Sequence, residues 1–94
     1  MIKVKVRPDG IRMDGHANRH INGQGIVCAG VSALTCGLIN ALQDLTGDCI
    51  CADAGSGMTV IKWQKLSDKG RTLVDAWFLG IAAINQEYNC IEYL

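Results

Sequence analysis

One uncharged, apolar segment constrains this chain more than any other feature. Residues 26–43 contain no charged side chain, and their larger apolar residues recur every three or four positions, the spacing of one helix face. A helix of that length spans about 27 Å, and a chain of 94 residues has one modest core in which to bury it. Because glycine, serine, threonine and asparagine interrupt the segment, we expect a core helix buried on most sides, and not a membrane span.

The sequence around this segment predicts an α+β fold in a single domain over residues 1–94. Apolar and charged side chains alternate on both sides of Pro8-Asp9-Gly10, which is typical of a β-hairpin. Gly47 is expected to end the first helix in a left-handed conformation, and Ser67 to cap the second. The order ββαββαβ favours a mixed or antiparallel sheet packed with two helices. The predicted elements are strands at 1–7 and 11–15, a helix at 25–45, strands at 49–54 and 58–65, a helix from Ser67 to about Tyr88, and a strand at 90–94.

Charge and cysteine content narrow the class of function. Nine basic and nine acidic residues cancel, with a pI near 6.7, so we expect no nucleic-acid partner. Residues 1–25 nevertheless carry a net charge of +3, which reflects either solvated strands or a field that favours a nearby anion such as a thiolate. Five cysteines, an odd number, follow a start without an apolar leader, which predicts free thiols in the cytoplasm.

Cys28 is the residue with the most evident chemistry. It falls in the first turn of the predicted helix, where backbone N–H groups and the helix dipole favour a negatively charged sulfur. The same end of the helix, with Ala29 and Ser32, is suited to hold an oxyanion or to pack against the site. The Ser32 hydroxyl is placed either to donate a hydrogen bond near the sulfur or to bond to the carbonyl four residues back. The structural alternative is that Cys28 is a small buried hydrophobic residue.

His16 is a candidate base for this thiol, because it ends a strand just before a polar loop. In the strand alternation Arg12, Asp14 and His16 point the same way. If the strand continues to residue 16, Asp14 lies about 7 Å from His16. A carboxylate there is placed to fix the imidazole tautomer while the other nitrogen faces Cys28. The structural alternative is an ordinary surface histidine.

A metal site is a weaker interpretation of the same residues. His16 and His20 are four positions apart, but a loop does not hold two such side chains on one face as a helix does. Cys49 and Cys51 share a strand face and lack the two-residue spacer of common zinc sites. We therefore expect no metal and no cofactor, and we expect the other cysteines to be structural.

Two segments of the chain resemble the ribosomal-processing cysteine protease Prp family. One is Gly15-His16-Ala17, and the other is the sequence GIVCAGVSAL at residues 25–34, with twelve positions between His16 and Cys28. A weaker similarity to the second helix of the family covers residues 80–84 and Tyr88. The resemblance therefore extends over most of the chain.

The resemblance implies a small cysteine peptidase, usually a homodimer, from bacteria or their phages. In bacteria such an enzyme removes an N-terminal extension from a large-subunit ribosomal protein. It implies that Cys28 is the nucleophile and His16 the general base. We expect the following loop to close over the bound peptide; its residues are Ala17, Asn18, Arg19, His20, Ile21, Asn22, Gly23 and Gln24.

The chain departs from the family at one position of the motif. The family usually has an aspartate three residues before the cysteine, where this chain has Gly25. Asp14 and Gln24 are the candidates for the assisting role that this leaves open. The departure also indicates a possible change of substrate or a lower activity.

Other functions and an oligomeric state follow from these observations. A non-catalytic relative that binds a peptide or a ribosomal partner is one alternative, and a metal- or redox-sensing module is another. Because the first helix is apolar around much of its circumference, with Gly30, Ala33 and Gly37 allowing close approach, we expect a homodimer. We expect no membrane partner.

Overall fold

The chain alternates pairs of strands with helices in the predicted order ββαββαβ. A computed structural model describes residues 1–16, 24–55 and 57–94, without the side chain of Gln24. Most of the predicted boundaries agree with the observed ones to within two residues. The elements are β1 (Ile2–Arg7), β2 (Gly10–Asp14), α1 (Gln24–Leu45), β3 (Ile50–Gly55), β4 (Met58–Trp63), α2 (Asp68–Tyr88) and β5 (Ile91–Tyr93).

The five strands form one mixed sheet in the order β3-β4-β2-β1-β5. Strand β5 is parallel to β1, and the other neighbours are antiparallel. The strand register places the buried side chains on one face, where both helices contribute to the core, and the charged side chains on the other. The buried strand residues are Ile2, Val4, Ile11, Met13, Ile61, Trp63 and Ile91. The mixed sheet with two helices is the predicted α+β fold.

The β1–β2 hairpin is held by Trp63 at the end of β4. The Trp63 indole N–H donates to the Pro8 carbonyl at 2.7 Å, and its backbone N–H donates to the Asp9 carbonyl at 3.0 Å. These bonds satisfy a turn whose carbonyls would otherwise depend on water. They fix β4 beside β2, which is the pairing that positions the site described below.

Helix α2 begins at a cap formed by side chains from two parts of the chain. The Ser67 hydroxyl accepts from the Gly70 N–H at 3.1 Å and donates to Asp48 at 2.9 Å, and the Ser67 N–H donates to Asp48 at 3.0 Å. Ser67 is thus the predicted cap. Gly47 does not have a positive φ, so the predicted left-handed end of α1 is wrong. The Thr46 hydroxyl, which donates to the Leu42 carbonyl at 2.6 Å, holds that end instead.

A buried polar group joins the two helices to the sheet. The Thr35 hydroxyl of α1 donates to the Val31 carbonyl at 2.7 Å and accepts from the Trp77 indole N–H of α2 at 3.0 Å. Its oxygen also lies 3.6 Å from the sulfur of Met13 on β2. Thr35 is only 3% exposed, so these contacts fix the angle between buried elements at a point where an unpaired donor would be costly.

Helix α1 is less enclosed than we predicted. Its segment Gly25–Leu45 has a mean hydropathy of 1.8 and is long and apolar enough to cross a membrane, but only 28% of its most apolar window is buried. The buried side, which includes Val27, Leu38 and Leu42, packs in the core. The prediction that the helix is buried on most sides is therefore wrong, because a sheet and one neighbouring helix cover only its inner face.

Candidate active site

A pocket of about 100 Å³ lies where three parts of the chain meet. The end of β2 contributes Gly15 and His16, α1 contributes Cys28 and Ser32, and the β3–β4 turn contributes Gly57. The fold thus brings the predicted base and the predicted nucleophile to one cavity, although twelve positions separate them in the sequence. The other described lining residues are Ile2, Met13, Val31, Gly55, Met58 and Thr59.

Cys28 is half-buried near the start of α1 and packs against the core. We predicted Cys28 within the first turn of the helix. Because the helix begins at Gln24, Cys28 lies just after that turn, so this prediction is wrong by a few residues. Side chains on a helix lean toward its N-terminus, so the Cys28 side chain is directed over the first turn. That turn carries no acidic residue, so no carboxylate on it offsets the positive end of the helix dipole.

The two neighbours of Cys28 singled out in the sequence have different positions. Ser32, one turn further along, is exposed and lines the pocket. Ala29 is exposed and is not among the described lining residues. Its N–H lies in the second turn, where the helix itself supplies the acceptor. The oxyanion and packing roles of Ser32 and Ala29 stay predictions.

Asp14 is engaged by a contact on its own strand. Its carboxylate accepts a hydrogen bond from the Arg12 Nε at 2.9 Å, and Asp14 is not among the described pocket residues. Strand β2 ends at Asp14, and Gly15 has a φ of 91°, far from strand values. The condition for placing Asp14 beside His16, a strand that continues to residue 16, is therefore not met, because this glycine breaks the alternation. The assisting role of Asp14 stays a prediction.

The predicted substrate loop lies outside the described residues. This applies to residues 17–23 and to the side chain of Gln24. Their closure over a peptide, and the assisting role of Gln24, stay predictions.

All five cysteines are free thiols, and they differ in how far each is buried. Cys36, Cys49 and Cys51 are exposed, whereas Cys90 is fully buried. Burial raises the pKa of the Cys90 thiol above its ordinary value. Within residues 1–16, 24–55 and 57–94, no group of three histidine, cysteine or acidic side chains is arranged to hold a metal ion.

Sequence reasoning missed the contribution of the β3–β4 hairpin to this pocket. Gly55, Gly57, Met58 and Thr59 line one wall of it. The sequence indicated a tight turn here but did not indicate which other parts of the chain the turn contacts. The missing information was the pairing of β4 with β2, which joins residues more than forty positions apart.

The comparisons with known proteins concern the whole of this fold. The family model of the cysteine protease Prp matches residues 1–91. The chain belongs to the Prp family. Members of this family are cysteine proteases, so the chain is a hydrolase.

Relatives and solved structures agree with this assignment. The chain is 32% identical over 80 residues to the ribosomal processing cysteine protease Prp of Staphylococcus aureus, covering 82% of this chain and 76% of that protein. It is 31% identical over 83 residues to the Bacillus subtilis protein of the same name, covering 81% and 74%. The crystal structure of the S. aureus protease with a covalently linked product peptide superposes with a TM-score of 0.82 at 27% identity, covering 98% of this chain and 94% of that one.

Gly25 stands where the Prp motif usually has aspartate, and the structure shows that space is not the reason. A Cβ atom built at Gly25 would meet no atom of the described residues within 4 Å. Glycine is therefore not required there by packing.

Proposed function

We propose that this Prp-family chain cleaves its substrate with Cys28 as the nucleophile and His16 as the general base. The observation that supports this most directly is that both side chains line one pocket at the start of α1. The proposal extends the family assignment, which gives the class of reaction, to the two residues that perform it.

The proposed reaction proceeds through an acyl-enzyme. His16 takes the proton of the Cys28 thiol, and the sulfur attacks the carbonyl carbon of the scissile peptide bond. The resulting imidazolium returns the proton to the departing amine as the C–N bond breaks, which leaves a thioester on Cys28. His16 then takes a proton from water, the hydroxide attacks the thioester, and the carboxylic product leaves as the thiol is restored. Asp14 or Gln24 would assist by orienting the ring.

The proposed substrate is a protein with an N-terminal extension. The related S. aureus protease was crystallised with a covalently linked product peptide, which supports a peptide chain as the ligand of the equivalent pocket here. By the same relationship we propose a large-subunit ribosomal protein precursor, or a phage structural protein, as the substrate. Free thiols suit the reducing cytoplasm, which is the proposed compartment.

The test is incubation of the purified chain with candidate precursor proteins, followed by mass spectrometry of the products. We expect one cleavage near the precursor N-terminus, lost on Cys28→Ala and on His16→Ala. Cys36→Ala is the matched control, because it removes an exposed thiol from the same helix and should leave the rate unchanged. Cleavage that survives Cys28→Ala would contradict the proposed mechanism.

A non-catalytic peptide-binding relative is the alternative that Gly25 favours. Alkylation by iodoacetamide at neutral pH, with each cysteine quantified by peptide mass spectrometry, separates the two. A protease should alkylate Cys28 well before Cys51 of β3, although Cys51 is the more exposed thiol and lies away from α1. Equal, slow alkylation of both would favour the binder.

We also propose that the chain is a homodimer formed through the outer face of α1. Ala33 and Gly37 of the predicted contact are exposed on this helix, as is Ala29 one turn before them, and a Cβ atom built at Gly37 would meet no atom of the described residues within 4 Å. Gly30, the third small residue of the prediction, faces Ile84 of α2 instead. Small side chains allow a second helix to approach closely. A second copy would cover an apolar surface that the monomer leaves in water.

Sedimentation at micromolar concentration tests the dimer. We expect the parent to sediment as a dimer and Ala33→Glu as a monomer, because a charge on a small-residue contact is costly to bury. Ala83→Glu on α2 is the matched control, since Ala83 is also an exposed helical alanine. A monomeric parent, or equal behaviour of the two variants, would contradict the proposed interface.

A further inference from the structure

The turn between β3 and β4 lies against the side chain of His16. The register of β2 with β4 pairs Met13 with Thr59 and Asp14 with Met58. One further step of the same register brings Gly15 opposite Gly57. The Gly15 N–H donates to the Gly57 carbonyl at 2.8 Å, so the backbone just before His16 is bound to this turn.

The imidazole of His16 occupies space that any other side chain at residue 57 would reduce. A Cβ atom built on Gly57 would lie 3.2 Å from the His16 Nε2, 3.8 Å from its Cε1 and 3.9 Å from its Cδ2. The first of these distances is tighter than an ordinary van der Waals contact. The far end of the ring therefore lies on the side of Gly57 from which a Cβ atom would project.

The conformation of Gly57 makes this arrangement specific to glycine. Its φ is 77°, which costs residues with a Cβ about 1–2 kcal/mol. Gly57 thus satisfies two requirements at once, a left-handed turn and an open surface for the ring. Gly47, by contrast, lies in open space with an ordinary φ.

An exposed histidine needs such a contact if it is to act as a base. His16 is an exposed residue, and exposed side chains exchange rotamers within picoseconds to nanoseconds unless something restricts them. Proton transfer requires the imidazole to be within hydrogen-bond reach of the thiol. Placing one end of the ring beside Gly57 removes rotamers that direct it away from the pocket.

From this geometry we infer that Gly57 is a positioning residue, whose backbone seats the His16 imidazole toward the pocket that Cys28 shares. The inference rests on the proposed role of His16 as the base. It predicts that Gly57 acts on kcat through the ring of His16 and not through contact with the substrate.

The experiment compares Gly57→Ala with two controls in the full chain. Gly47→Ala adds a methyl group in open space. Asn89→Ala places alanine at Asn89, the non-glycine residue that has a positive φ among the described residues, 48°, at the end of α2. Each protein is measured for kcat and KM on a cleaved peptide, for the pH profile of Cys28 alkylation, and for unfolding in urea.

We expect Gly57→Ala to lose at least tenfold in kcat with little change in KM. We also expect its Cys28 alkylation, which needs no substrate, to slow toward the rate of His16→Ala and to lose the same pH dependence. Asn89→Ala should lose stability to a similar degree with unchanged kcat, and Gly47→Ala should resemble the parent.

Three results would overturn the inference. These are an unchanged kcat in Gly57→Ala, an effect on KM alone, or a Cys28 alkylation profile like that of the parent. Failure of the proposed function has a different signature, because His16→Ala would then leave both cleavage and Cys28 alkylation unaffected.

Discussion

The two helices of this chain begin in different ways. The start of α2 is tied by Ser67 and Asp48, and its first turn carries the acidic Asp68. The start of α1 carries no acidic residue on its first turn, and Cys28 follows directly in a pocket shared with His16. Both helices have a positive end; carboxylates match that of α2, whereas the first turn of α1 carries none.

The difference indicates that the start of α2 contributes to stability and the start of α1 to the reaction. The polar groups at the start of α2 bond to one another, so that region contributes to the free energy of unfolding. Cys28, just after the start of α1, lines a cavity instead, where its thiol is open to a reacting carbonyl. Substitutions at the start of α2 should therefore change the free energy of unfolding, and substitutions at the start of α1 should change the rate of peptide cleavage.

Cys28→Ser should have the largest effect on cleavage, and it separates the cleavage rate from the free energy of unfolding most clearly. We expect cleavage to fall by at least about 10⁴-fold, as when nucleophiles are removed from other hydrolases. Cys28 is only half-buried, so the free energy of unfolding should change by less than about 1 kcal/mol. Peptide cleavage and urea unfolding on the same protein check both statements. A large loss of stability would mean that Cys28 is part of the structural framework.

Thr35→Val should have the largest effect on stability among these substitutions. It keeps the shape of the side chain but leaves the Trp77 indole N–H of α2 without its acceptor. An unpaired buried donor costs about 1–3 kcal/mol. Thr72→Val is the control, because that hydroxyl is exposed and donates only to the Asp68 carbonyl of its own helix. Urea midpoints that fall equally in both variants would contradict the role of the Thr35 contact.

Ser67→Ala should weaken the start of α2 and leave the chemistry intact. Loss of an N-cap hydroxyl costs about 0.5–2 kcal/mol, and here the hydrogen bond to Asp48 is lost as well. We expect lower unfolding free energy with unchanged kcat/KM. A fall in kcat/KM without loss of stability would contradict the claim that the start of α2 contributes to stability and not to the reaction.

Alkaline pH should produce the smallest effect. Burial raises the pKa of Cys90 above its ordinary value of 9.0. Above that value the unfolded chain releases the thiol proton while the folded chain keeps it, so the free energy of unfolding falls as pH rises. Urea unfolding under reducing conditions between about pH 8 and pH 10 measures this fall around the ordinary thiol pKa.

Cys90→Ala should reduce the alkaline fall, and Cys36→Ala, which removes an exposed thiol, should not. Part of the fall should remain in Cys90→Ala, because burial also raises the pKa of Tyr93. Identical pH dependence in Cys90→Ala and the parent would contradict this assignment.

Much of the fold could be predicted from local patterns in the sequence. Alternation identified the strands, helical spacing identified α1, and Ser67 identified the start of α2, because each of these signals depends on residues within one or two turns. The resemblance of the segments around His16 and Cys28 identified the family and the two candidate residues.

The rest depends on contacts between distant parts of the chain. The place of Gly57 beside His16 follows from the pairing of β4 with β2, and the link from Asp48 to Ser67 spans 19 positions. Alternation placed Asp14 beside His16, but a glycine is compatible with either sign of φ, and Gly15 adopts the sign that ends the strand. No pattern within a single segment contains this information.

The most direct test of the central claim is to detect the acyl-enzyme itself. The chain is mixed with a cleaved peptide, quenched in acid within the first turnover, and analysed by peptide mass spectrometry. The account predicts a thioester on Cys28 that carries the N-terminal part of the substrate and that is absent in His16→Ala. Turnover with no adduct on Cys28, or with the adduct on another cysteine, would contradict it.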